Sequence, residues 1–213
     1  MDTKIKRIVF SDFDGTITSE ETFVSMLKYF SPELFSKKEK ELISNKLTLK
    51  EAVRDMVESI PSSKYKDVVA FINTKKIRPG FSKLLDFLSE ENVPFVVVSG
   101  GLQDIVENRL TKWRSSIHSI FAAKVDASDK YLKVISDFEK DNELIAKVDI
   151  MELFDFDESV AIGDGITDHK MALNATHVFA RSNLATYLKK RKKEYIYWNT
   201  FKDVKNHLQK LWE

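Results

Sequence analysis

A mostly parallel α/β sheet covered by helices on both faces, with a small all-helical insertion near the start, is the fold class that the 213 residues predict. Three observations predict it. Short apolar runs alternate with stretches of helical periodicity from Phe81 to the end of the chain. One of those runs, Pro94-Phe95-Val96-Val97-Val98, is continuously apolar, the signature of a strand buried on both faces. Between Thr18 and about Arg78 the alternation stops, and only helical spacing is found.

In chain order, the run from Ile5 to Phe10 reads as a buried strand that stops at the polar turn Ser11-Asp12-Phe13-Asp14-Gly15-Thr16. Phe23, Met26, Leu27 and Phe30 then fall at helical spacing, and Ser31-Pro32 breaks the run. Leu34, Phe35, Leu42 and Ile43 continue more sparsely. Leu49, Val53, Met56, Val57 and Ile60 form an amphipathic stripe that ends at Pro61, and Val68 to Ile72 suggests a further helix before Ile77-Arg78-Pro79-Gly80. Leu84, Leu85, Phe87 and Leu88 mark the next helix, and the strand after it ends in Ser99-Gly100-Gly101, followed by a helix with Leu102, Ile105, Val106 and Leu110 on one side. Ile117 to Val125 and Tyr131 to Ile135 read as a hairpin, Leu144 to Phe154 as a helix, and Ser159 to Ile162 as a short buried strand. That strand ends in Gly163-Asp164-Gly165-Ile166-Thr167-Asp168, and Lys170 to Ala175 continues as helix. His177 to Ala180 and Tyr195 to Trp198 complete the strands, each followed by a helix. The predicted sheet is Rossmann-like. No internal repeat or low-complexity linker interrupts it.

Composition narrows the function classes. Hydrophobic residues make up 43% and charged residues 31%, which fits an ordinary globular chain. A formal net charge of +1 gives no electrostatic reason to expect a nucleic-acid or anionic-membrane partner. The run Lys189-Lys190-Arg191-Lys192-Lys193 reads as the solvated end of a helix, where cations suit the dipole. Cysteine is absent, which excludes disulfides, thiolate metal sites and a cysteine nucleophile. Met1-Asp2-Thr3-Lys4 leads directly into the first strand without a signal-like apolar region, and no apolar stretch approaches the ~18 residues of a membrane span, so a cytoplasmic protein is expected. The sequence carries no signal for an oligomeric state.

Four short segments fall at one kind of place, the loop or helix start after a buried strand. They are Asp12-Phe13-Asp14-Gly15-Thr16, Ser99-Gly100-Gly101, Lys147, and Gly163-Asp164-Gly165-Ile166-Thr167-Asp168. Residues two apart on extended backbone share a face, so Asp12 and Asp14 point into the same crevice. Together the segments offer what phosphoryl transfer from a monoester needs: a carboxylate nucleophile, a nearby acid, sites for a hard cation, and fixed positive charge. Each also has a plain structural reading. Asp12 can cap and Asp14-Gly15 can turn, Ser99 can be a helix N-cap, and Asp164 and Asp168 can simply start a helix. Lys147 can be a solvated lysine, with Lys133 and Lys140 as rivals for its role.

The order and spacing of these segments resemble the four motifs of the haloacid dehalogenase superfamily in its phosphatase form. The helical stretch resembles that superfamily's cap of the first type, and the likeness covers almost the whole chain. It is closest to the phosphoserine phosphatase and methionine-salvage enol-phosphate phosphatase branches. They share Ser99-Gly100-Gly101, the cap run from Leu47 to Arg54, and Ile60-Pro61-Ser62-Ser63. The resemblance implies a core of residues 1–17 and 78–213 with a cap of 18–77. It implies Asp12 as the nucleophile that becomes an aspartyl-phosphate, and Asp14 as the acid and then the base. Mg²⁺ would be held by Asp12, the carbonyl of Asp14, and Asp164, with Asp168 beside it. Ser99, Lys147 and the amides of Phe13 and Gly100 would hold the phosphate. Glu21 and Arg54 would recognise the amine and carboxylate of an amino-acid substrate. The implied partner is a small phosphorylated metabolite. Phosphotransfer to a second hydroxyl, or a catalytically idle phosphometabolite binder, are the alternatives; dehalogenation has no use for Asp14.

Overall fold

The computed structural model describes residues 4–213; the expectation concerning Met1 to Thr3 lies outside them, as does the side chain of Thr74. Seven strands form one sheet: β1 (Ile5–Ser11), β2 (Phe95–Leu102), β3 (Ser119–Asp126), β4 (Lys133–Ile135), β5 (Phe156–Gly163), β6 (His177–Ala180) and β7 (Ile196–Tyr197). Their order is β4-β3-β2-β1-β5-β6-β7. All neighbours are parallel except β3 and β4, the predicted hairpin.

The alternation of side chains along the central strands divides the core in two. Ile8, Phe10, Val96 and Val98 face one side, with Ile105, Met171 and Leu184. Val9, Phe95, Val97 and Val160 face the other, with Phe81, Leu84, Phe201 and Val204. Helices α5 (Phe81–Glu90) and α10 (Phe201–Trp212) carry the second group. Helices α6 (Gln103–Leu110), α8 (His169–Asn174) and α9 (Ser182–Lys190) contribute to the first. A sheet buried on both faces explains why its central strands read as unbroken apolar runs.

Between β1 and α5 lie four helices: α1 (Thr22–Phe30), α2 (Pro32–Ile43), α3 (Leu49–Glu58) and α4 (Tyr65–Phe71). Pro32 occupies the first turn of α2, where its missing N–H costs nothing. Thr48 and Glu51 form a capping box that starts α3. Met26, Leu27, Val53 and Met56 are buried in a core continuous with the first face of the sheet. The chain leaves and rejoins the sheet side by side: Thr18 bridges Ile77, Ser19 N–H donates to Lys76 O (2.9 Å), and Arg78 N–H donates to Ile17 O (2.8 Å).

Three local expectations are corrected. The second strand runs through Gly100 and Gly101 to Leu102, with an irregularity between Val98 and Leu102, so Leu102 belongs to β2 and α6 begins at Gln103. The helix expected over Leu144 to Phe154 is confined to α7 (Lys147–Met151). The strand expected at Ser159 to Ile162 extends back to Phe156. No helix among the described residues is long and apolar enough to cross a membrane.

Candidate active site

Strand β1 sits in the middle of the sheet, with β2 on one side of it and β5, to which the chain crosses back after β4, on the other. The carboxyl ends of these three strands therefore flank the point where the winding reverses, the favoured ligand crevice of such sheets. The four predicted segments converge there. Asp12 follows β1 directly, its N–H donating to Ile162 O of β5 at 2.9 Å. Asp164 and Asp168 follow β5, and carboxylate oxygens of Asp12, Asp164 and Asp168 lie within 4.8 Å of one another.

Lys147 is 2% exposed at the first position of α7. Its Nζ donates to Asp12 Oδ1 (2.6 Å) and Asp168 Oδ1 (2.7 Å). The reading of this lysine as a surface residue is thereby corrected. Its rivals are the exposed ones: Lys133 pairs with Asp129 and Lys140 with Asp149. Burial alone would lower the Lys147 pKa, but the Asp12 and Asp168 carboxylates hold it above the ordinary lysine value. Asp168 is 0% exposed, and its other oxygen accepts the amides of Asp164 (3.0 Å) and Gly165 (2.9 Å). It thus closes the turn after β5 while facing the cluster.

Asp14 is held differently. Its Oδ1 accepts N–H of Thr22 (3.0 Å) and of Phe23 (3.1 Å), together with the Thr22 hydroxyl, at the start of α1. Burial pushes its pKa up to about 7; the Phe23 amide works against this, and the charge of Glu21 adds to it. A carboxyl poised there can give a proton and take it back near neutrality. Gly15 turns the chain at φ +73°, and a Cβ there would lie 2.5 Å from Asp164 Oδ2. The close approach is reinforced by Thr16, whose hydroxyl donates to Asp164 Oδ1 at 2.8 Å. Thr16 belonged to the first motif, but the sequence assigned it no role.

Burial is the main cause that raises the pKa of Asp12, followed by the charge of Asp168, with Lys147 opposing both. Burial likewise raises Asp164, opposed by the Thr16 hydroxyl. Three buried carboxylates with hard oxygen donors face a single buried ammonium. That donor set and that excess of negative charge fit a divalent cation such as Mg²⁺.

Ser99 is fully buried within β2, and its hydroxyl accepts Gly101 N–H at 3.0 Å. The helix N-cap reading is corrected, since α6 begins four residues later. Gly100 is exposed, and a Cβ there would meet nothing within 4 Å. The Phe13 side chain is buried on the second face of the sheet, leaving only its backbone to serve the site. A cavity of about 350 Å³ opens on Asp12, Asp14, Gly100 and Gly101, with Glu21 in its wall. Arg54 is not brought to it. Its guanidinium donates to Val134 O (2.7 Å), Glu58 and Glu139, tying α3 to the β4 region. Beyond the cluster, a second cavity of about 470 Å³ shares Leu49, Val53, Gly100 and Thr167 with the first and reaches Lys147.

Residues 9–173 match the model of the haloacid dehalogenase-like hydrolases, and the chain belongs to that family. Among its relatives, a 2-hydroxy-3-keto-5-methylthiopentenyl-1-phosphate phosphatase of Microcystis aeruginosa is 41% identical over 206 residues, covering 96% of this chain and 98% of that one. A phosphatase of the same name from Bacillus cereus is 32% identical over 213 residues, covering 96% and 97%. In fold, the chain is similar to a substrate-bound phosphoserine phosphatase, with a TM-score of 0.71, 23% identity, and 97% and 99% of the two chains covered.

Proposed function

We propose that the chain is a Mg²⁺-dependent phosphatase that hydrolyses a small phosphomonoester through an aspartyl-phosphate on Asp12, working in the cytoplasm. The observation that carries this reading is the convergence of Asp12, Lys147, Asp164 and Asp168 on one buried cluster at the carboxyl ends of β1 and β5, with Asp14 on the same cavity as Asp12. Its division of labour is a core of residues 1–17 and 78–213 with a cap of 18–77.

In the first step a carboxylate oxygen of Asp12 bonds to phosphorus as the ester P–O bond breaks, and protonated Asp14 gives its proton to the departing oxygen. In the second, Asp14 as carboxylate takes a proton from water, the water oxygen bonds to phosphorus, and the acyl-phosphate bond to Asp12 breaks. Lys147 favours the ionised form of Asp12 and orients it through its 2.6 Å hydrogen bond. Asp12, Asp164 and the Asp14 carbonyl would hold Mg²⁺, with Asp168 beside them; the ion, when bound, lowers the repulsion between Asp12 and a phosphate dianion. Ser99 and the amides of Phe13 and Gly100 receive phosphate oxygens.

The cavity on the Asp14 side, where the alcohol must lie, favours one substrate class. Phe23, Leu27, Phe35, Leu42 and Met56 supply much of its wall, its charged groups are carboxylates including Glu21 and Glu39, and no lysine or arginine is among its described lining residues. An amino-acid ester would bury its carboxylate there without a partner, at a cost. An uncharged apolar tail is welcome. The relatives' methylthiopentenyl enol phosphate has such a tail, and we take that substrate as the better fit.

Phosphate release from p-nitrophenyl phosphate tests the reaction. Wild type should be active with Mg²⁺ and inactive after chelation, and Asp12→Asn should lose roughly a thousandfold or more. Silence from wild type, or full activity in the variant, would contradict it. For the tail, kcat/KM for the enol phosphate should exceed that for phosphoserine by at least about tenfold; the reverse order would overturn that assignment alone.

A further inference from the structure

We infer that Arg78 is the positioning residue of this site: its buried guanidinium fixes the backbone of the loop that carries Asp12 and Asp14. This rests on the reading of those two carboxylates given above. Arg78 is 8% exposed and has no carboxylate in its hydrogen-bond shell; its partners are backbone carbonyls. Nε donates to Thr16 O (2.8 Å), and Nη2 to Thr18 O (3.1 Å) and to Gly15 O. Nη1 reaches Asn199 O at 3.3 Å, just before α10. Its own N–H holds Ile17 O.

A buried carbonyl must be paired, and a tight turn leaves few donors within its own chain. Here one rigid fork serves three carbonyls over four residues of loop. The three acceptors lie on both sides of Ile17, so the fork sets the curvature of the turn rather than one bond in it. That curvature determines where Gly15 passes Asp164, a contact too close for any side chain, and where Thr16 meets the same carboxylate. Arg78 is anchored in turn by Trp198, a ring 5.2 Å from its guanidinium carbon, and by the contact of Pro79 O with Phe201 N–H (2.9 Å). The β1 loop and Asp164 are thus held in register from behind by a residue that does not line the cavity beside Asp12.

A lysine has the charge but not the fork. The test is steady-state kinetics of Arg78→Lys and Arg78→Ala with p-nitrophenyl phosphate at saturating Mg²⁺, with thermal unfolding of each variant. For Arg78→Lys, a fall in kcat of about tenfold or more, with KM within threefold, is expected. For Arg78→Ala, millimolar guanidinium should restore at least fivefold of the lost kcat, and equimolar urea should not. If Arg78→Ala does not fold, Arg78→Lys decides. Wild-type kcat in a folded Arg78→Lys variant, or a lower melting point with unchanged kcat, would overturn the inference while leaving the function intact. An inactive wild type, or a fully active Asp12→Asn control, would instead count against the function.

Discussion

Asp14 is hydrogen-bonded through one oxygen to the first turn of α1 and is half-buried in the cavity wall, and desolvation outweighs the helix amides to push its pKa up to about 7. Below that pH it holds the proton that it gives to the leaving oxygen in the proposed mechanism; above it the acid is lost, so phosphoryl transfer should decline as pH rises past about 7. Asp14→Asn should lower kcat by about 10²- to 10⁴-fold, the usual worth of a general acid. The same shift has a stability consequence of definite sign. The folded pKa lies above the unfolded value of about 3.9, so the folded state binds the extra proton between the two. The stability this contributes is present at low pH and is lost as pH rises from about 4 through 7. Thermal unfolding of the metal-free protein should therefore show a melting point falling across that window, with a shallower fall in Asp14→Asn; equal slopes would contradict the assignment. Asp12, Asp14, Asp164 and Asp168 were legible because their spacing within short motifs is itself the signal. Thr16 and Arg78 were not, because their partners are 148 and about 60 residues distant. Arg54 read as a substrate ligand only by its position in the run; the local charge pattern could not reveal that Glu139, far along the chain, would claim it.

Helix α3 supplies Val53 and Met56 to the cavity wall, and its start depends on a capping box in which Thr48 Oγ1 accepts Glu51 N–H (3.2 Å) and Glu51 accepts Thr48 N–H (2.8 Å). Thr48→Ala should destabilise the protein by about 1 kcal/mol in a denaturant titration. No loss would mean that tertiary packing alone fixes the helix. Elements with a strong period or a continuous apolar run were readable: β1, α1 and α3 fall where they were expected, and β2 and the hairpin of β3 and β4 are found with different ends. Ends were less so. Ser99-Gly100-Gly101 looks like a strand stop because glycine is poor strand material, yet the parallel pairing with β3 resumes at Leu102. Leu144 to Phe154 has the apolar content of a longer helix, but Leu144 and Ile145 are spent in the core before the helix begins at Lys147.

At the scale of the whole molecule, the alternation of strands and helices announced a parallel sheet, but not which strand would be central. Strand order is set by crossovers that no local pattern records. With β1 between β2 and β5, three loop ends distant in sequence meet on one crevice, and helices α1, α2 and α3 supply an apolar wall beside it. The chemistry we propose for this crevice is a double displacement on Asp12. The most direct test is the stereochemical course at phosphorus, followed with an isotopically chiral phosphate monoester in the Mg²⁺-loaded enzyme. Two successive in-line attacks, first by Asp12 and then by water, predict net retention; net inversion would mean that water attacks the ester directly and that Asp12 never carries the phosphoryl group.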